Sequence, residues 1–484
     1  MKNMRISLLA LALAVVVPVV ALVSVCAATP SQYGDTFLGE LSEKYDRLRD
    51  IKEDKVVLIG GSSLAFGVDS KAMEEQLGMP VVNFGLYATL GTKVMLDLSK
   101  SGVRRGDIVV ICPEMDNQTL SLYYNAEAMW QACDSDASLL FGIGSDNIGD
   151  MMGGFWGYLS DKLGYALGEG LKVEGVYSKA AFNEYGDIEY ERPYNQMALG
   201  YDPNKMITLS GDIFDADFIE YVNSYVSWAK LRGVTVYFSF PPMNKDAVLT
   251  TSDEEMHEFY QFLSDELDCE VISDVGNYIL DGGYFYDSNF HLNDAGVPIR
   301  TMQLVEDIRR AQGNTDAVEI VYPEIPEVPV IDIGNNGDGE QTDFTETDAS
   351  MFEFEEFGKG LVITGVKGDA LTAETIVVPK KADGKAVLAI KDGAFGKCTK
   401  LKTLVIYNNI VQLYDGFLSG CNSIAEIYLY NSDCSSVSIG AELLKGVNSK
   451  PSIKVPYEAF GSYVSDYFWG IYSSNLTVIS APEE

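Results

Sequence analysis

Through the first two thirds of the chain, apolar residues gather in short continuous runs separated by polar or amphipathic stretches. The runs Val56–Ile59, Pro80–Phe84, Asp107–Cys112, Val234–Phe240 and Glu270–Ile272 are of strand length and rich in β-branched residues, the pattern of strands covered on both faces. Helical patterns lie between and after them. Lys71–Leu77 stops at Gly78, and Thr92–Lys100, with Val94, Met95 and Leu98 on one face, stops near Gly102. Asp217–Arg232 reads as a third helix, and Val297–Ala311, with Ile299, Met302, Leu304, Val305 and Ile308 apolar, closes the series. A polar helical segment from Tyr33 to about Ile51 precedes the first strand. Alternating strands and helices predict an α/β domain over residues 33–313, its sheet parallel and its helices on both faces.

Two departures from this rhythm define further regions. An insertion at about residues 118–210, rich in Tyr, Trp, Gly and Met, follows the third strand, where it is placed to wall a site or to build a small core of its own. Residues 314–350 begin with prolines and end in glycine and acids, the composition of a linker. Beyond it, in residues 351–484, DGAFGKCTKLKTLVI (Asp392–Ile406) is echoed by DGFLSGCNSIAEIYL (Asp415–Leu429). Cys398 and Cys421 fall in register as small core residues, and Leu401, Leu404 and Ile406 are answered by Ile424, Ile427 and Leu429, an offset suited to a leucine-rich repeat module.

At the other end, Lys2 and Arg5 precede an apolar run from Ile6 to about Ala28, a membrane-targeting element in residues 1–28. Both a retained signal anchor and a signal peptide cleaved near Cys26-Ala27-Ala28 fit it, and either exports the rest of the chain. Thirty-five basic residues against 71 acidic ones give a net charge of −36, which disfavours nucleic acid and anionic lipid as partners. Cys112 and Cys269 read as buried thiols, and the cysteines form no CxxC or Cys/His cluster of the kind that holds zinc, so neither metal nor cofactor is expected.

Candidate chemistry lies in two distant stretches. In VVLIGGSSLAFG (Val56–Gly67) a strand runs into Gly60-Gly61, and Ser62 occupies the bend, where a hydroxyl projects over the carboxyl edge of a parallel sheet. In FYDSNFHLNDAG (Phe285–Gly296), His291 stands close to Asp287. A serine nucleophile needs an imidazole base and a carboxylate to orient it, and Ser62, His291 and Asp287 supply the three. Ser63 competes with Ser62, and Asp281 and Asp294 with Asp287. The second histidine of the chain, His257, lies in an acidic helical pattern and reads as an exposed helix residue. Asn244, in a proline-stiffened turn, is placed either to meet substrate or to satisfy the turn backbone.

GGSS after a strand, a glycine in VVNFGLYATLG after the next strand, and the Asp-His loop near the domain's end resemble the SGNH (GDSL-type) hydrolases. The resemblance implies a flavodoxin-like sheet, Ser62 as nucleophile, and an oxyanion hole from the amides of Ser62 and Gly85, with Asn117 as a further donor. Two departures stand out. Pro113 and Glu114 occupy the place of the family's third-block asparagine and delay Asn117, and the Asp-x-x-His spacing is one residue longer. GAF-x-x-C-x-x-L is similar to the BspA-type surface repeat, in which a short helix and a strand alternate. Together these imply an extracytoplasmic esterase or acyltransferase acting on acylated glycan or a small ester, with a protein or glycan as ligand of the repeats. A catalytically weak adhesion or scaffold protein is the alternative.

Overall fold

The computed structural model describes residues 24–327 and 344–479, apart from residues 169, 172, 174, 198–199, 204, 359, 433, 441, 461–462, 464–466, 471 and 473–474. The expected membrane element falls largely outside these residues. Among the described residues no helix is long and apolar enough to cross a membrane.

The first region is built on a five-stranded sheet of β1 (Val56–Gly60), β2 (Val81–Asn83), β3 (Ile108–Cys112), β4 (Thr235–Phe238) and β5 (Glu270–Val271). Its order is β2-β1-β3-β4-β5 with every pairing parallel, the flavodoxin-like arrangement. Every residue of β1, β2 and β3 is buried, which is why their sequences are continuous apolar runs without alternation.

Side chains from the two faces of β1 enter different cores. Val57 and Ile59 join Leu41 and Leu48 of α1 (Leu41–Asp50) and Val94 and Leu98 of a helix at Thr92–Ser99. Val56 and Leu58 join Met73 of a helix at Ser70–Leu77 and Leu304, Val305 and Ile308 of the closing helix at Val297–Ala311. Each fully buried aliphatic side chain contributes about 1.5–3 kcal/mol. The helix at Ser70–Leu77 starts where Asp69 accepts from the Ala72 amide at 2.9 Å and stops at Gly78 with φ 70°, a left-handed cap that suits glycine.

The aromatic insertion does two things. Its helices Ala126–Ala132 and Ile148–Leu167 pack together, with Trp130 stacked on Tyr158 at 5.8 Å and Tyr33 lying 6.0 Å from the same ring. Trp130, Phe155, Tyr158 and Tyr165 thus build a local core, while Tyr123, Phe141, Trp156 and Tyr190 are exposed. Tyr177 and residues 205–208 instead reach the carboxyl edge of the sheet, where they line a cavity.

Both ends of the proline-rich and acidic segment are held. Tyr284 Oη donates to the Pro323 carbonyl at 2.7 Å, and the Thr347 amide donates to the Val377 carbonyl at 3.0 Å.

The C-terminal region is a stack of chain turns that forms two sheets. Thr375–Val377, Thr403–Ile406, Glu426–Leu429, Ser452–Val455 and Leu476–Val478 pair in parallel, with Thr403 opposite Glu426 one 23-residue turn later. A second sheet carries Gly360–Val366, Lys385–Ile390, Gln412–Leu413 and Ser438–Ile439 in parallel, capped by the antiparallel strand Phe352–Phe357.

The expected short helix is absent from the GAF segment. Phe395 to Leu401 runs through tight turns instead, with Cys398 N bonded to Phe395 O at 2.8 Å and Leu401 N to Cys398 O at 3.1 Å. Gly393 and Gly416, both at φ 66°, begin the equivalent turns, and this left-handed start holds the segment in three-residue turns. Cys398 and Cys421 are buried, and Cys421 Sγ lies 3.0 Å from the Phe395 carbonyl, so the paired cysteines act as small core residues. Asn409 and Asn431 are buried at a similar interval and donate to the carbonyls of Val387 and Ile410. These bonds tie each turn to the one before it.

Candidate active site

Ser62 is the first residue of α2 (Ser62–Gly67), immediately beyond the carboxyl end of β1. The bend depends on glycine for space. A Cβ on Gly60 would stand 2.2 Å from the Cys112 carbonyl oxygen, and one on Gly61 would stand 2.3 Å from Glu114 Oε2. His291 comes from the opposite end of the domain, in a loop closed by the Tyr286 amide donating to the His291 carbonyl at 2.9 Å and by a bridge between Phe285 and Leu292. This closure takes up the extra residue between Asp287 and His291.

The structure brings three of the sequence-predicted residues together. His291 Nε2 lies 2.8 Å from Ser62 Oγ, and His291 Nδ1 lies 2.8 Å from Asp287 Oδ1. A carboxylate only accepts, so Nδ1 carries the proton and Nε2 is left to accept from the serine hydroxyl. Tyr177 Oη donates to Asp287 Oδ2 at 2.7 Å. The His291 ring is stacked on Phe66, centroids 4.1 Å apart and planes 7° from parallel, and the Arg192 guanidinium lies 5.4 Å from the Phe66 ring centroid.

The competing residues are occupied elsewhere. Ser63 is buried beneath the bend, its amide donating to Glu114 Oε1 at 2.8 Å, while Asp281 caps the Gly283 amide at 2.9 Å and Asp294 accepts from the Arg192 amide at 2.9 Å. His257 is exposed on the helix Asp253–Glu266. Asn244 is wholly buried, donates to the Gly200 carbonyl and accepts from the Asp246 amide, so it serves the turn.

The expected oxyanion donors differ in their surroundings. The Ser62 amide lies in the first turn of α2, where a helix has no internal acceptor to offer. Gly85 packs against the nucleophile bend, since a Cβ there would stand 2.4 Å from Leu64 Cβ, but its amide donates to Asn83 Oδ1 at 3.1 Å. Asn117 is exposed and lines the cavity in front of Ser62. Its neighbour Asp116 fixes that loop by accepting from the Gln118 and Thr119 amides, each at 2.9 Å.

Glu114, where the third-block asparagine was expected, lies beneath the bend. It is buried, and burial pushes its carboxyl above the usual glutamate value despite the hydrogen bond from the Ser63 amide.

The cavity over Ser62 and His291 encloses about 510 Å³. Three separate parts of the chain line it. The α/β loops contribute Tyr87, Met115 and Asn117, the insertion contributes Tyr177 and Lys205 to Thr208, and the repeat region contributes Cys434, Val437, Ser438, Ile439 and Trp469. The site is thus partly built from the region expected to act apart from it. Among the described residues, no group of three or more His, Cys, Asp or Glu side chains converges as a metal site would. Tyr177, Phe66 and the repeat residues carry no local motif that marks them in the sequence, whereas Glu114 was signalled by its place in a displaced block.

No family model and no curated protein matches the chain. Solved leucine-rich repeat structures do. The crystal structure of the T. pallidum leucine-rich repeat protein TpLRR is 23% identical over 25% of this chain and 47% of that one, with a TM-score of 0.16. A leucine rich cell surface protein from Faecalibacterium prausnitzii A2-165 is 17% identical over 28% of this chain and 30% of that one, also with a TM-score of 0.16. The chain thus spans less than half the length of either protein. It is an α/β protein whose C-terminal region resembles leucine-rich repeat proteins, and its parallel α/β domain has no assigned family.

Proposed function

We propose that the protein is an extracytoplasmic serine ester hydrolase or acyltransferase acting on acyl groups carried by a polysaccharide or cell-wall glycan. The observation that carries this reading is the connected series Ser62 Oγ, His291 and Asp287, with both links at 2.8 Å and a cavity in front of the serine. Ser62 Oγ attacks the acyl carbonyl while His291 Nε2 takes the hydroxyl proton. The carbon–oxygen double bond opens to an oxyanion, for which the Ser62 amide and Asn117 are the candidate donors. Asp287 stays ionised and holds the imidazolium. Collapse expels the sugar alkoxide, which takes the proton from His291 and leaves an acyl-serine for water or a second hydroxyl. Export rests on the basic residues and apolar run at the N-terminus and on the acidic composition.

The test is labelling of the full-length protein with a fluorophosphonate probe. Wild type should label and Ser62→Ala should not. Absence of label on wild type would sink the enzyme reading and leave the adhesion or scaffold alternative.

A further inference from the structure

The strands and turns that line the cavity from the repeat side come from one end of the second sheet. Ser438–Ile439 is its edge strand, Cys434 and Val437 lie in the turn before it, and Trp469 sits in the helical turn Tyr467–Gly470. Four of the five side chains they bring, Cys434, Val437, Ile439 and Trp469, are apolar. Beyond Ser62, Asp287 and His291, polar lining residues such as Asn117, Gln118, Thr119, Lys205 and Thr208 come from the α/β loops and the insertion. The two regions also meet outside the cavity, where the Tyr165 and Phe460 rings approach edge to face at 6.4 Å and a single buried apolar cluster runs through both. An ester has an apolar acyl half and a polar alcohol half, and the repeat wall offers almost only apolar surface, whereas the α/β loops and the insertion mix their polar groups with Met115, Met206, Ile207, Ile213 and Phe290.

We propose that the repeat region forms the acyl-binding wall of the site, with Val437, Ile439 and Trp469 setting the length of acyl chain accepted, so that the substrate carries an acyl group longer than acetyl. This rests on the serine hydrolase reading above. The repeats are then part of the enzyme's specificity, and the polar loops face the glycan. Each methylene buried against such a wall raises transition-state affinity by roughly three- to fourfold, until the cavity is filled.

The experiment measures kcat/KM of the full-length protein for p-nitrophenyl acetate, butyrate, hexanoate and octanoate, with fluorophosphonate labelling of each sample. Wild type should gain roughly three- to fourfold per methylene over the first additions. Ile439→Asn should cut the hexanoate-to-acetate ratio by about tenfold or more, through loss of the apolar wall. Ile439 is buried, so a second variant guards against misfolding. Ser438 is only half-buried, and Ser438→Trp should narrow the cavity and shift the best chain to a shorter one.

A wild type that labels at Ser62 but shows no chain-length preference overturns the proposal while the hydrolase reading stands. The same holds if both variants label normally and keep the wild-type chain-length profile. A wild type that neither labels nor hydrolyses any of the four esters overturns the hydrolase reading itself.

Discussion

The α/β domain and the repeat region both build parallel sheets from aliphatic residues, but they bury them differently. β1 and β3 are buried at every position, because helices cover both faces of the sheet. In the repeats, Glu426–Leu429 and Ser452–Val455 alternate, with one residue half-exposed and the next buried. A fully covered sheet leaves only its strand ends for chemistry, and Ser62, Glu114 and the loops of the cavity all lie at carboxyl ends. A stacked coil instead offers the same kind of side chain at the same place on each turn, which suits a wall. On the proposed reading, one region supplies reacting groups and the other supplies surface.

The sharpest way to break this division is to remove the reacting groups. Ser62→Ala and His291→Ala should each lower ester turnover by roughly three orders of magnitude or more, with circular dichroism and Tm unchanged, since triad members fail as a unit. A comparable loss from a repeat substitution with intact labelling would erase the contrast.

The next effect is on stability. Leu404 is wholly buried in the repeat core, and Leu404→Ala should cost about 2–5 kcal/mol in urea unfolding. The loss should appear in the repeat transition first, because each turn depends on its neighbours. Equal weakening of both regions would mean that they unfold as one body.

Tyr177 tests how far the insertion serves the reacting groups. Its hydroxyl donates to Asp287, and Tyr177→Phe should lower kcat by roughly tenfold with little change in KM, the value of one hydrogen bond to a carboxylate. An unchanged kcat would make Tyr177 only a part of the wall.

The smallest effect concerns Glu114. Burial raises its carboxyl pKa in the folded chain above the unfolded value, so the folded state holds more protons and its stability falls as pH rises past the usual glutamate range. Glu114→Gln removes this slope and can still accept from the Ser63 amide. The variant's Tm should gain on wild type as pH rises above the ordinary glutamate value of about 4.3. A gain toward acid would mean that Glu114 is held ionised.

Much of this is legible in the chain. Continuous apolar runs between glycine-stopped helices specify a covered parallel sheet, and the two Asp-Gly segments specify the repeat. Ser62, Asp287 and His291 are legible because each belongs to a short block whose order carries its chemistry. The stacking of Phe66 on His291, the reach of Tyr177 and the repeat wall are not. Each is a contact between segments far apart in sequence, and the residues involved look like ordinary core residues in their own neighbourhoods. The expected helix in the repeats failed for the opposite reason. Its apolar spacing is compatible with helix, but Gly393 and Gly416 in left-handed backbone commit the segment to tight turns.

The Phe66–His291 stack has a consequence for chirality. The imidazole exchanges its proton in the ring plane at Nε2, and Phe66 stacked at 4.1 Å fixes the tilt of that plane, so on the proposed hydrolase reading a leaving alcohol collects its proton along one set direction. With that direction fixed inside a walled cavity, mirror-image alcohols leaving the acyl carbon present different groups to the same lining. A racemic secondary alcohol ester should be consumed unevenly, one hand ahead of the other, and sugar hydroxyls, which are chiral at every ring carbon, should be told apart in the same way.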